Sequence, residues 1–452
     1  MKGKSLMTVI VAAACSISLM AESGTSKAKA TTVPAVTYAK DVAPILNKNC
    51  VGCHRPNDVA PMSLMSYDQV RPWAKSIREK VGEGTMPPWH ADPKIGHFAN
   101  ERRLSAKDKA TLLAWVDGGM RQGDAKDLPP APRFDDGGWR LGKPDVVFSL
   151  PEEQDVPASG VVAYKHLEVA TNFTEDKWIV AGEIRPSDRA VVHHVIVYVQ
   201  DPPGTERAPA GLAMKLPPPD PKLQEIMQKR AQERAQQQGQ QAQRQRGPRG
   251  WVLVGAGAGE QVSMFPPNTG KLVKAGSKLI FQIHYTPNGT ATKDRTSVAL
   301  QFAKATPEYE LRTVGVANPR FMIPAGEANY RVDSAVEFTE DAVIFGLFPH
   351  MHVRGKSFDY RMVGPNGASQ PILSVPKYDF GWQTNYTFAQ PMQVAKGSRM
   401  ECTAFFDNST NNKFNPDPTK DVLWGDQTWE EMMIGWMDYS VANKKVVTSA
   451  SR

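Results

Sequence analysis

The chain has 452 residues, 41% hydrophobic and 22% charged, enough for roughly three domains of about 100–200 residues each, and burial of a sizeable core is not in question. The net charge of +7 sits mostly in two segments. Residues 1–30 carry Lys2, Lys4, Lys27 and Lys29 against Glu22, and residues 221–250 carry Lys222, Lys229, Arg230, Arg234, Arg244, Arg246 and Arg249 against Glu225 and Glu233. Together these exceed the whole-chain net charge, so the remainder is slightly acidic and offers no basic footprint for nucleic acid.

The chain opens with Lys2 and Lys4, an apolar run from Leu6 to Met20 and the small-x-small tripeptide Ala28-Lys29-Ala30. This pattern predicts a signal peptide over 1–30 and hence a periplasmic or otherwise exported protein; a lipoprotein tether at Cys15, after Ala12-Ala13-Ala14, is the alternative. No later stretch reaches about 18 uninterrupted apolar residues, so no transmembrane span is expected after cleavage. With Cys50 and Cys53 in one motif, only Cys402 is left, and no disulfide framework can be built.

From Tyr38 to Gly119 the periodicity is helical. Ser66–Val81 and Ser105–Trp115 place apolar residues three and four apart, Ser105 is a candidate N-cap and Gly118-Gly119 a stop. Within this region Cys50-Val51-Gly52-Cys53-His54 fits covalent haem c attachment: two thiols for thioether bonds and an adjacent imidazole as proximal iron ligand. A thioredoxin-like motif or half a zinc site would need a βαβ context or a second cysteine pair, and neither is present. For the distal iron ligand, Met86 in the loop Gly84-Thr85-Met86-Pro87-Pro88-Trp89 competes with Met62, Met65 and His90. The region 36–125 resembles the small cytochrome c domains, and a Pro-rich, acidic linker covers 126–138.

Beyond Trp139 short β-type runs alternate with Gly, Pro, Asn and Asp: Val161–Val169, Trp178–Ile184, Val191–Val199, Lys278–Tyr285, Ser297–Phe302, Ala342–Phe348, Phe358–Val363 and Met400–Phe406. They argue for antiparallel sandwiches or barrels, two by length, and the expected fold is two mainly antiparallel, jelly-roll-like β-sandwich domains over 139–305 and 306–446. A Gln- and Arg-rich stretch over 217–250 interrupts the first as a surface insertion, with a transient helix expected around Leu223–Arg234. The expected architecture is therefore multidomain: a small helical unit followed by two sandwiches.

Five of the nine histidines fall in three strand-like motifs, His193-His194, His284 and His350-Met351-His352. His350 and His352, at i and i+2 on a strand, share a face and can hold one metal. Adjacent residues on a strand face opposite ways, so His193 and His194 can share a metal only if a bulge or strand end turns one of them. Downstream, Met432, Met433 and Met437 are candidate thioether ligands.

The order His193-His194-Val195-Ile196-Val197, Leu279–Tyr285, His350-x-His352 with Gly355-Lys356, and Glu430-Glu431-Met432 resembles the copper type II, ascorbate-dependent monooxygenases, the family of peptidylglycine alpha-hydroxylating and dopamine beta-monooxygenases, over residues 140–445. The resemblance implies two copper ions. One, on His193, His194 and His284, would store and pass an electron; the other, on His350, His352 and Met432, would meet dioxygen and carry the catalysis. It also implies hydroxylation of a C–H bond of a small organic substrate. Electrons would come through the fused haem, from ascorbate or another external reductant, or from a redox partner protein. The positions that grip a peptide carboxylate in the peptide-processing enzyme correspond here to Phe348, Ile434 and Trp436, so that substrate is not expected. The alternatives are a periplasmic haem/copper electron-transfer protein without oxygenase activity, and a scaffold whose histidines are incidental.

Overall fold

The structure is a computed structural model that describes residues 35–442 and 445–446, apart from residues 57, 135–137, 206, 208–209, 219–220, 222, 230–249 and 258–260. The expected signal peptide, with Cys15, lies outside the described residues, as does most of the 217–250 insertion; of the helix expected there, 223–229 is helical. Among the described residues, no helix is long and apolar enough to cross a membrane.

The helical segment holds four short α-helices, Ala43–Asn49, Tyr67–Val70, Ala74–Glu83 and Ala106–Asp117. Ser105 caps the fourth as the sequence indicates, and Ser66 caps the second, each side-chain oxygen accepting from the N–H three residues on. Their apolar faces meet in a small core built on Val42, Leu46, Val51, Val70, Leu112 and Trp115.

The rest is mostly antiparallel sheet. In the first sandwich, a sheet ordered 165–170, 278–285, 192–200, 251–256 faces one built around 146–149, 297–302, 177–185 and 269–273, with Val197, Leu279, Phe281, Ile283 and Leu300 fully buried between them. The strand Lys278–Tyr285 is central and buried from Leu279 onward, which is why its sequence runs apolar instead of alternating. In the second, the sheet ordered 312–317, 434–441, 342–350, 386–394 packs on one containing 369–375, 355–363, 399–406 and 330–338. Here Tyr330–Phe338 and Arg399–Phe406 alternate buried and half-exposed residues, as strands with one wet face do.

Three segments cross the expected domain limits. Tyr309–Glu310 pairs with Thr269–Gly270 of the first sandwich, and Leu212–Lys215, from within the first span, adds an edge strand to the second beside Ala335–Phe338. The third comes from the helical region. Residues 89–100 leave it as a strap along the second sandwich, where Trp89 and Phe98 join the core and Trp89 packs on Tyr386 at 4.9 Å between ring centres. Asp92 N–H donates to Ser374 O, Ala99 N–H to Thr387 O and Ala389 N–H to His97 O, all at 2.8 Å. Burying two large aromatics contributes about 2–3 kcal/mol each, which holds the strap against the second sandwich.

Candidate metal centre

The first histidine set is assembled by a bulge. His284 pairs with His194, but its neighbour Tyr285 pairs with Val192, leaving His193 as the extra residue. That is the irregularity that adjacent histidines require to turn both rings one way. Their ligand atoms and that of His284 all lie within 4.8 Å of one another. His193 Nδ1 and His194 Nδ1 face each other at 3.0 Å, and His284 Nδ1 is buried with no hydrogen-bond partner.

His350 ends its strand and His352 lies two residues past it, yet their rings remain 5.2 Å apart and both residues are buried. Each is oriented through Nδ1: His350 to Gln383 Oε1 at 2.6 Å, His352 to the Glu430 carbonyl at 3.0 Å. With Nδ1 as the donor in each, Nε2 carries the lone pair, and His352 Nε2 is buried with no partner. Buried nitrogens facing one another or facing nothing are costly unless a ligand completes them, and neutral imidazoles suit a transition metal. The five histidines fit copper.

The methionines separate by burial. Met433 and Met437 are fully buried in the core of the second sandwich, whereas Met432 is half-buried and directly follows Glu431. The Glu431 side chain, fully buried, accepts from His352 N–H at 2.8 Å and from Arg354 N–H at 2.6 Å. Burial pushes its pKa up to about 8 against the pull of these donors.

Sequence reasoning expected two separate trios. The structure packs the two histidine sets together. The Tyr164 ring lies 4.7 Å from His284, 5.4 Å from His194 and 6.3 Å from His352; Phe380 stacks on His193 at 5.2 Å and reaches His352 at 6.0 Å. The Met432 loop also reaches the first set, through Thr428 Oγ1 at 3.5 Å from His284 Nε2 and through Gln427 Oε1, which accepts from Tyr164 N–H. Tyr164, Phe380 and Gln383 carry no motif, and no sequence signal marks them. His194 and His350 line one cavity of about 350 Å³ between the sandwiches, with Phe348 and Trp436 in its wall.

Burial lowers the imidazole pKa values, to about 4 for His193 and His350 and to about 3 for His284. The unfolded chain's histidines protonate near 6.5, so below that pH unfolding takes up protons that the folded metal-free protein does not bind. Metal-free protein is therefore expected to lose stability as pH falls from about 6.5 toward 4, each unit of depression being worth ~1.4 kcal/mol per histidine. Thermal melts between pH 7 and 5 check this, and His284→Asn should flatten the slope.

In the helical segment, Cys50 and Cys53 are free thiols in the turn that follows the first α-helix; His54 N–H donates to Cys50 O at 2.9 Å and its Nδ1 is buried without a partner. Burial pushes the Cys50 thiol up to about 12, so it is neutral. Unpaired thiols beside a neutral imidazole fit haem attachment. Met62 and Met65 pack against the helical core, while Met86 is half-buried in the loop after Ala74–Glu83. Asp58, just beyond the motif, is bound by Arg55 at 2.7 Å, Arg140 at 3.1 Å and Arg189 at 3.2 Å. Arg189 stands four residues before His193, so this knot ties the cysteine motif to the first histidine strand.

Of the histidines outside these groups, His90 is half-buried and feels the charge of Asp379, next to Phe380. His166 Nε2 lies 3.0 Å from Gln282 Nε2. Asp92 caps the turn of its own strap, accepting from Lys94 N–H.

No family model and no curated protein matches the chain. Among solved structures, infectious bursal disease virus Gt strain aligns over 70% of this chain and 75% of that one at 9% identity and a TM-score of 0.19. The CBM22-1-CBM22-2 tandem domain of Paenibacillus barcinonensis Xyn10C aligns over 67% and 98% at 10% identity and a TM-score of 0.14. Likenesses this slight carry no argument.

Proposed function

We propose that this protein is an exported copper-dependent monooxygenase that hydroxylates a C–H bond of a small organic substrate. The observation that carries the reading is five neutral imidazoles in one cluster, four buried and His193 half-buried, of which His194 and His350 line a largely apolar cavity. His193, His194 and His284 would hold one copper, and His350, His352 and Met432 the other. Bound copper would supply the one-electron redox and dioxygen chemistry.

The chain's own part is orientation and exclusion of water. Gln383 and the Glu430 carbonyl hold the His350 and His352 rings with Nε2 available as ligand. Tyr164 and Phe380 fill the space beside both sets, and the sandwiches wall the cavity. Overall, substrate, dioxygen, two electrons and two protons give hydroxylated product and water. Cys50, Cys53 and His54, with Met86 as the distal ligand, would hold a haem c that passes these electrons singly from ascorbate, another reductant or a redox partner protein. The resident fold of the helical segment would then be cytochrome c-like and that of the sandwiches jelly-roll-like.

The test combines metal analysis with a product screen. The expected result is one haem and two copper ions per chain, with oxygen-dependent product bearing one atom of labelled dioxygen. Copper binding with oxygen uptake but no labelled product would leave an electron-transfer protein, and less than one copper per chain would overturn the metal reading. Haem that can be reduced anaerobically without reducing copper would remove the relay.

A further inference from the structure

We propose that the cavity between the sandwiches selects an uncharged, mostly apolar molecule whose one polar group is a neutral hydrogen-bond donor such as a hydroxyl, seated at Lys271, Thr313 and Asp438. This deepens the reading above by naming the substrate class, and rests on that reading only in calling the ligand a substrate.

Strand register sets the cavity's long direction. On the paired strands 342–350 and 434–441, His350 stands opposite Ile434, Phe348 opposite Trp436 and Gly346 opposite Asp438. Asp438 is thus four positions along the sheet from the His350 end, about 13 Å at strand spacing, with the Phe348–Trp436 pair midway. Trp436 and Asp438, two apart on one strand, face the same side, and both line the cavity with His350 and His194. One end therefore carries the imidazoles, the middle is aromatic and aliphatic, and the far end is polar. A volume of about 350 Å³ suits one small molecule.

The polar end is charge-neutral and internally tied. Lys271, buried at 3% exposure, donates to Val252 O at 3.1 Å, Leu253 O at 2.8 Å and Thr313 Oγ1 at 2.7 Å, which uses every N–H of an ammonium. The Thr313 hydroxyl passes its own proton to a hydrogen bond with Asp438 Oδ1. Cation and anion are joined through one hydroxyl, so a charged ligand that approaches either also meets the other. An ammonium head would gain Asp438 but meet Lys271, a carboxylate head would meet the reverse, and a neutral donor can use the Asp438 carboxylate without opposing charge. Nothing in this arrangement marks the site in the sequence, because Lys271, Thr313 and Asp438 come from three separated strands.

The experiment measures binding of three near-isosteric probes to the full-length protein by calorimetry at pH 7, with and without copper: 3-phenylpropan-1-ol, 3-phenylpropylammonium and 3-phenylpropanoate. The alcohol is expected to bind about tenfold more tightly than either ion, a factor that corresponds to one unpaired charge held off by its neighbour. Asp438→Asn, which keeps the shape and the Thr313 contact, should shift the preference toward the carboxylate; Lys271→Met should shift it toward the ammonium; Trp436→Ala should weaken all three. An ion that binds wild type as well as the alcohol does, an Asp438→Asn protein with an unchanged ranking, or no binding by any probe overturns the proposal. Binding is read without turnover, so failure of the monooxygenase reading would show separately, as copper or labelled product missing from a protein that still ranks the probes.

Discussion

Met432→Ala is expected to lower oxygen-dependent product formation at least ~100-fold, beyond the ~10–100-fold usual for a residue that only supports a ligand, while the protein stays folded. Met433→Ala should do the opposite. Met433 is fully buried in the second sandwich, its sulfur 3.3 Å from Ser334 Oγ, and truncating it leaves a cavity. Core truncations of this kind cost ~2–5 kcal/mol, so its melting temperature should fall while product per folded molecule is kept. Met432 is half-buried and stands outside that core, so its truncation opens no core cavity. Melts, copper analysis and product yield on the two variants give the comparison. Equal loss of product per folded molecule in both would return the assignment to the open choice among Met432, Met433 and Met437.

The motifs with the shortest spacing were the most legible. His350-x-His352 needed only local backbone geometry, and the structure brings those rings together although the strand stops at His350. The requirement for a bulge at His193-His194 also followed from strand periodicity, and the bulge is there. The strands Lys278–Tyr285 and Ser297–Phe302 have the bounds their hydrophobic runs indicate. The strap over 89–100 was not legible: nothing in the sequence marks Trp89 and Phe98, and only the groove beside Tyr386 and Phe388 decides where they go. The closeness of the two histidine sets was hidden for the same reason. It depends on Tyr164 and Phe380, more than 200 positions apart in the chain, converging on the same rings.

Glu431→Ala is expected to be the most damaging single change to the architecture of the second set. Two backbone N–H groups, from His352 and Arg354, converge on this one side chain, and its residue is wholly inaccessible to water. Alanine leaves those donors buried without an acceptor, at ~1–3 kcal/mol each, so a loss of about 2 kcal/mol or more should appear as a fall of roughly 4–8 °C in Tm. The Glu431 backbone contributes separately, its N–H donating to Leu423 O and its carbonyl accepting from Gly425 N–H, and alanine keeps both. The segment should therefore stay in place while the turn carrying His352 loosens relative to Met432. Because the side chain ties the backbone of His352 to the segment that carries Met432, affinity for the second copper should fall ~10–100-fold, as for other groups that orient ligands, with the His193, His194 and His284 site retained. Glu431→Gln, which keeps one acceptor oxygen, should lie between. Copper titration followed by electron paramagnetic resonance, with melts on the same samples, distinguishes the outcomes: an unchanged Tm in the alanine variant would remove the structural role, and equal weakening of both copper sites would remove the local one.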